Sequence, residues 1–312
     1  MKRMIAGIGE TVLDMVLKDG KPLAAVPGGS VFNAMVSLGR TAAVQFPGVE
    51  IRMVSRMGRD TVADIISSFM EENHLATDGM SRYDGQSSLT LAVLDAHNNA
   101  RYEFFRQHDL PEFQVPEGIA FAPDDLVLFG STFAISGGTA VAARKFVRAA
   151  RAAGAIVYYD VNFRKGIPAA PEAVAENIAL SDIVRASSDD IEALYGTSDG
   201  EAVYREYIAP LCPNFILTRG AKDAEVFSPG VRALFPVAPV REVVTTIGAG
   251  DNFNAGTLYS LVRDGFKRDR LAALSEEDWR RIIPTAMRFS AEVCGSLFNY
   301  VSPEFVRGLQ QA

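Results

Sequence analysis

Cysteine is nearly absent from this chain: two in 312 residues, Cys212 and Cys294. So few thiols, without ligand-like spacing, exclude a disulfide framework and a cysteine-held zinc, and both read as buried structural thiols. Histidine is almost as scarce. His74, His97 and His108 stand in polar surroundings with no partner residue at ligand spacing, so they read as surface residues rather than a metal centre. No apolar run approaches the ~18 residues of a membrane span. Lys2 and Arg3 are followed by a short apolar stretch broken by Gly7, Gly9 and Glu10, which lacks a signal-peptide profile, so the cytoplasm is the expected compartment. Positive charge is also short: 31 Lys and Arg against 38 Asp and Glu leave a net −7, which argues against a nucleic-acid surface. An anionic ligand would be held by local amides and a metal ion rather than by the field of the whole protein. Two phosphate motifs are missing as well. No Gly-x-x-x-x-Gly-Lys-Ser/Thr occurs, and Gly7-Ile8-Gly9 lacks a third glycine because Val12 stands there, which weakens a dinucleotide-binding reading.

What is present is enough for a sizeable core, with 48% hydrophobic residues and a mean hydropathy near zero. Apolar strand-like runs at Met4–Ile8, Ile51–Ser55, Leu126–Phe129, Ile156–Tyr159, Ile183–Ala186 and Phe215–Thr218 alternate with helical patterns. Those patterns lie near Val62–Glu72, Thr139–Ala153, Pro171–Leu180 and Asp278–Val293, the last open to a kink at Pro284. The alternation predicts an α/β fold with a largely parallel sheet flanked by helices. Two pieces break it. Thr11–Leu17, and Leu89–Leu94 with Arg101–Phe105 around Asn98-Asn99, read as antiparallel strands and a hairpin.

The most informative stretch is Gly248-Ala249-Gly250-Asp251-Asn252-Phe253-Asn254. A β-branched run, Val243–Ile247, precedes it as an extended strand or loop, and Phe253, Leu258, Leu261 and Val262 follow at helical spacing. Glycines before a helix let backbone N–H groups approach an anion, and the helix N-terminus adds partial positive charge. Asp251 beside a bound phosphate is costly unless it works, and the natural task is to take a proton from an attacking hydroxyl. The plainer alternative is a tight turn with Asp251 as a helix cap. A second motif weighs against that: Pro27-Gly28-Gly29-Ser30-Val31-Phe32-Asn33, again a glycine pair before a helical pattern, with Asp14 upstream. Asp14 and Asn33 suit a polyol, the carboxylate accepting from hydroxyls and the amide both donating and accepting.

With these motifs in order, the chain resembles the ribokinase-like (PfkB) family of sugar kinases from about Ile5 to about Ser296. The resemblance implies a three-layer αβα sandwich with a mostly parallel central sheet and a small β-lid. Residues 1–312 would form a single kinase domain, its lid made by inserted segments near 11–32 and 87–110. It implies ATP and Mg²⁺ as cofactors, Asp251 as general base, and Gly248, Ala249 and Gly250 as the anion hole. It places Asp14, Gly28, Gly29 and Asn33 on sugar hydroxyls. Asp160-Val161-Asn162-Phe163-Arg164 resembles the family's Asp-x-Asn-x-Arg stretch, which puts Asn162 and Arg164 beside the substrate. Ser187-Ser188-Asp189-Asp190 stands where the family often has Asn-x-x-Glu. Ser187 then takes the Asn place near the nucleotide and Asp190 the Glu place near the metal, with a shorter carboxylate. Ile216–Gly220 resembles the segment lining the nucleotide, which brings in Thr218 and Gly220 beside Gly248 and Gly250.

The substrate is less defined. Glu10–Asp14 before the glycine pair looks similar to fructokinases. Tyr102-Glu103-Phe104-Phe105-Arg106 resembles a lid segment of both fructokinases and 2-keto-3-deoxygluconate kinases, so Phe104 and Arg106 are candidate contacts to a sugar or a sugar acid. A catalytically silent sugar-binding regulator on the same fold is an alternative of another class, against which Asp251 speaks. No nucleic-acid or membrane partner is expected, whereas the open edge of a small lid suggests a homodimer through it. Many relatives carry Asp-Thr before the glycine motif, where the Asp helps hold a monovalent cation. Here the position six before Asp251 is Thr245.

Overall fold

The computed structural model describes residues 3–95, 100–107, 110–163, 171–237, 240 and 242–309, apart from the side chains at 100 and 102. The larger sheet contains β1 (Met4–Ile8), β4 (Glu50–Met57), β5 (Leu75–Ala76), β6 (Met80–Arg82), β9 (Leu126–Gly130), β10 (Ile156–Asp160), β11 (Ile183–Ser187), β12 (Asn214–Thr218), β13 (Asp223–Ser228) and β14 (Val231–Pro236). Its order is β14-β13-β12-β11-β10-β9-β1-β4-β5, with β6 also on β4. From β12 to β5 all neighbours are parallel, while β13 and β14 add an antiparallel hairpin at one edge. The near-continuous apolar runs of β1 and β9 to β12 reflect burial on both faces.

Helices cover both faces. On one side lie α1 (Ser30–Gln45), α2 (Thr61–Glu72), α7 (Ala249–Arg263), α8 (Glu276–Cys294) and α9 (Pro303–Gly308). They pack on Ile5, Met53, Leu128 and Ile216 from alternate strand positions. On the other lie α3 (Gly137–Ala152), α4 (Pro171–Ala179), α5 (Ser188–Tyr195) and α6 (Gly200–Val203), against Ile8, Val127, Phe129, Tyr159 and Leu217. This is the expected three-layer αβα architecture. No helix among the described residues is long and apolar enough to cross a membrane. Gly7 shows why one glycine of the Gly7-Ile8-Gly9 pair is needed without any dinucleotide. A Cβ there would meet the Met35 and Val31 side chains of α1 at 2.6–2.7 Å.

The second sheet has the order β3-β2-β7-β8, from β2 (Val12–Lys18), β3 (Lys21–Gly28), β7 (Leu89–Leu94) and β8 (Ala100–Phe105). β7 and β8 are antiparallel, as the hairpin reading requires, and its Asn98-Asn99 turn lies outside the described residues. One feature differs from the sequence reading. β2 runs parallel to β7, and its antiparallel partner is β3, a strand that polar Lys21 and Pro22 conceal. Val243–Ile247 forms a loop; β-branched side chains favour a strand only where a neighbour supplies the ladder. α8 passes through Pro284 as a continuous helix. Cys212 is buried, Cys294 only half-buried, and both are free; His74 is exposed, while His97 and His108 lie outside the described residues.

Candidate active site

β1 lies between β4 and β9, and the connections leaving β1 and β9 go to opposite faces, towards α1 and α3 respectively. Such a switch point opens a crevice at the carboxyl ends of the strands. Here a cleft of about 980 Å³ occupies it. Glu10 follows β1, Gly130 ends β9 with Ser131 just after it, Asn162 follows β10 and Ser187 ends β11; Val12, Asp14, Thr90 and Phe104 of the second sheet form the opposite wall.

Two helices begin in this cleft. α1 starts after Gly29 and α7 after Gly248, and neither N-terminus has a side-chain cap, so their first-turn N–H groups are not consumed by one. Gly248 has φ 76°, a left-handed conformation costly for other residues. Asp251 sits in the first turn of α7, 7% exposed. Ser30 Oγ donates to its Oδ1 and Asn33 Nδ2 to its Oδ2, both at 2.8 Å. Asn162 Nδ2 donates in turn to Ser30 Oγ at 2.6 Å. The N-cap position of α7 is Gly248, and side chains from α1 hold the Asp251 carboxylate at the cleft. Ala249 N–H donates to Thr246 O at 3.3 Å.

The residues expected on the sugar converge as well. Gly28 lies so close to the Asp14 carboxylate that a Cβ would collide with Oδ2. Asn33 Oδ1 and Thr90 Oγ1 are buried polar atoms without a partner among the described residues, and both residues line the cleft. Buried groups of this kind carry a cost that a ligand hydroxyl can relieve. Phe104, about half exposed, lies under the Arg106 guanidinium at 4.6 Å, and Arg106 pairs with Glu10 at 3.0 Å. This pair also borders a neighbouring cavity of about 690 Å³ that runs to the start of α3.

On the remaining side Ser187 caps α5 in a capping box with Asp190. Asp190 Oδ2 accepts from Ser187 N and Oγ, and Oδ1 accepts from Phe163 N, each at 2.7 Å. Thr218 does not border the cleft directly but reaches it through Arg185, whose Nη2 donates to Thr218 Oγ1 at 2.6 Å. Gly220 lies in an exposed turn after β12, with φ 58°. Arg164 lies outside the described residues. Among the described residues no three acidic, histidine or cysteine side chains form a metal cage.

Several site residues escape a motif reading. Ser30 lies inside the quoted glycine motif, but its tie to Asp251 spans 221 positions. Thr90 is one alternating residue of a strand. Arg185 sits in an apolar run, where a lone cation is the signal available. Its partner Asp160 is buried, and that burial pushes its carboxyl up to about 6 against the pull of Arg185, with Asp190 and Asp251 adding to the rise.

A profile described as "pfkB family carbohydrate kinase" matches residues 2–296. The chain is 27% identical to a probable chloroplastic fructokinase-6 of Arabidopsis thaliana, over 93% of this chain and 75% of the relative. It is equally 27% identical to a 2-dehydro-3-deoxygluconokinase of Dickeya dadantii, over 90% and 96%. A fructokinase from Xylella fastidiosa, solved with bound ATP, has the same fold with a TM-score of 0.82 at 22% identity, covering 100% of this chain and 99% of its own. Nearly the whole length is accounted for, and the chain belongs to the pfkB family of carbohydrate kinases, which are ATP-using phosphotransferases.

Proposed function

We propose that this protein transfers the γ-phosphoryl group of ATP to a hydroxyl of a neutral ketose, as a fructokinase does. The observation that carries the reading is the placement of Asp251: a buried carboxylate held by Ser30 and Asn33, at the start of α7, facing a cleft rimmed by two uncapped helix N-termini. The sugar hydroxyl would give its proton to Asp251 as its oxygen bonds to the γ-phosphorus. The bond from that phosphorus to the bridging oxygen breaks, and ADP leaves. The amides of Gly248, Ala249 and Gly250 would meet the charge developing on the transferred group. Ala249 N–H would exchange its long bond to Thr246 O for a phosphoryl oxygen. Asp14, Gly28, Gly29, Asn33 and Asn162 would orient the sugar, Asn33 and Thr90 using their free oxygens. Ser187, Thr218 and Gly220 lie on the proposed nucleotide side.

Mg²⁺ fits this site as an ion held chiefly by phosphate oxygens and water rather than by a protein cage. Asp190 Oδ1 accepts one hydrogen bond and keeps a lone pair for a metal-bound water. When bound, the ion neutralises phosphate charge.

A ketose is favoured over a keto-acid because Arg106 is already paired with Glu10, so an incoming carboxylate would meet the Glu10 charge. Five acids (Glu10, Asp14, Asp189, Asp190, Asp251) but two cations (Arg106, Arg185) line the described cleft, which also suits a neutral substrate. The test is an ATP-consumption screen against fructose, ribose, 2-keto-3-deoxygluconate and nucleosides, with fructose expected to lead. A lead by 2-keto-3-deoxygluconate would overturn the choice of a neutral substrate. No turnover with any sugar, together with sugar-induced thermal protection, would indicate the silent regulator. Asp251→Asn is expected to lower kcat about 10²- to 10⁴-fold with little change in sugar binding. A variant keeping more than about half its activity would reduce Asp251 to a structural residue.

A further inference from the structure

Beneath the glycine motif lies a buried ion pair outside the residues assigned so far. Arg185, in the middle of β11, is 7% exposed, and Asp160, the last residue of β10, is 1% exposed. Arg185 Nη1 donates to Asp160 Oδ1 at 3.1 Å, while Nη2 is held by Thr218. Asp160 Oδ2 accepts from Asn254 Nδ2 of α7 at 2.8 Å, and Asn254 Oδ1 accepts from Tyr158 OH at 3.0 Å. The buried Arg185 Nε has no partner among the described residues. Both terminal nitrogens lie 3.0 Å from the point where a Cβ would stand on Gly250, and the residue borders the cleft. A buried ion pair adds little stability over an apolar pair of the same volume. A fixed cation packed on the second glycine of an anion hole has another use.

We infer that Arg185 is a positioning residue for phosphoryl transfer. Anchored by Asp160 and Thr218, it fixes the backbone at Gly250. It also adds a permanent positive charge under the transferred group, where water cannot screen it. Asn254 ties the same pair to α7, so one network sets both the glycine turn and the cation. The inference rests on the phosphotransfer reading above.

The test compares kcat and KM in Arg185→Met, Arg185→Lys and the double variant Arg185→Met/Asp160→Asn. Arg185→Met is expected to lower kcat at least about 100-fold, with sugar KM changed less than about threefold. Arg185→Lys keeps the charge and is expected to recover at least about tenfold of that loss. Arg185→Met strands the Asp160 carboxylate and can fail to fold. The double variant removes both charges, and it is expected to fold and still show a kcat at least about 100-fold down. A double variant within about threefold of the wild-type kcat, or a Lys variant no better than Met, would overturn the role. If neither neutral variant folds, the Lys variant decides: a kcat below about one-thousandth of wild type in a folded protein would overturn it. A wild type that phosphorylates no sugar brings down the phosphotransfer reading instead.

Discussion

Asp251 and Thr245 lie six residues apart and face the same cleft, and their side chains have opposite circumstances. Asp251 is gripped by two donors from α1, so its carboxylate is oriented before any ligand arrives, the condition for an efficient base. Thr245, 6% exposed, uses Oγ1 to accept from Ile247 N at 3.2 Å, which braces the loop before Gly248. Where the family resemblance implies a carboxylate for a monovalent cation, this chain offers a neutral oxygen already engaged with a backbone N–H. K⁺ would lose its anionic ligand and most of its attraction. Activity is therefore expected to depend little on K⁺. The measurement is kcat/KM in potassium against a bulky organic cation at equal ionic strength. A stimulation of about tenfold or more would show that other oxygens complete a cation site.

At the scale of elements, the site depends on where α7 is held. Its N-terminus meets α1 through Ser30 and Asn33, and Ser37 Oγ of α1 donates to Asn252 Oδ1 at 2.5 Å. Its outer flank crosses α8 at Gly256, where a Cβ would stand 2.7 Å from Ala286 Cα and 3.1 Å from the Phe289 side chain. Gly256→Ala sets two effects against each other. Alanine gains about 1 kcal/mol of helix propensity over glycine. Forcing apart two packed helices costs about 1–3 kcal/mol, because Ala286 Cα is backbone and cannot turn aside. The overpacking is expected to win, lowering Tm by a few degrees, and since α7 carries Asp251, kcat should fall with it. A thermal melt showing a higher Tm for the variant would mean that α8 shifts freely.

At the scale of the molecule, the second sheet is the exposed component. In the order β3-β2-β7-β8 its outer strands β3 and β8 are unpaired on one side among the described residues, and Leu23, Phe104 and Phe105 on them are each half exposed. Open edges beside apolar surface are a hazard that pairing with a second copy removes. We expect a homodimer through residues 12–28 and 89–105. A monomer by light scattering at micromolar concentration would contradict it. By itself the sequence determined the α/β class, the run of parallel strands, and a glycine turn at Gly248–Gly250 that sets Asp251 in the first turn of a helix. Burial on both faces writes strands as continuous apolar runs, and a glycine turn before a helix is a local signal. β3, β13 and β14 were not legible: partly polar strands at or next to a sheet edge are defined by the neighbour they pair with rather than by their own residues. Only the tertiary structure decided that Ser30 and Asn33 orient Asp251, that Glu10 holds Arg106, and that Arg185 lies beneath Gly250. Each of these links joins residues tens to hundreds of positions apart, and such proximity exists only once the sheet's switch point has brought the helix N-termini and strand ends together.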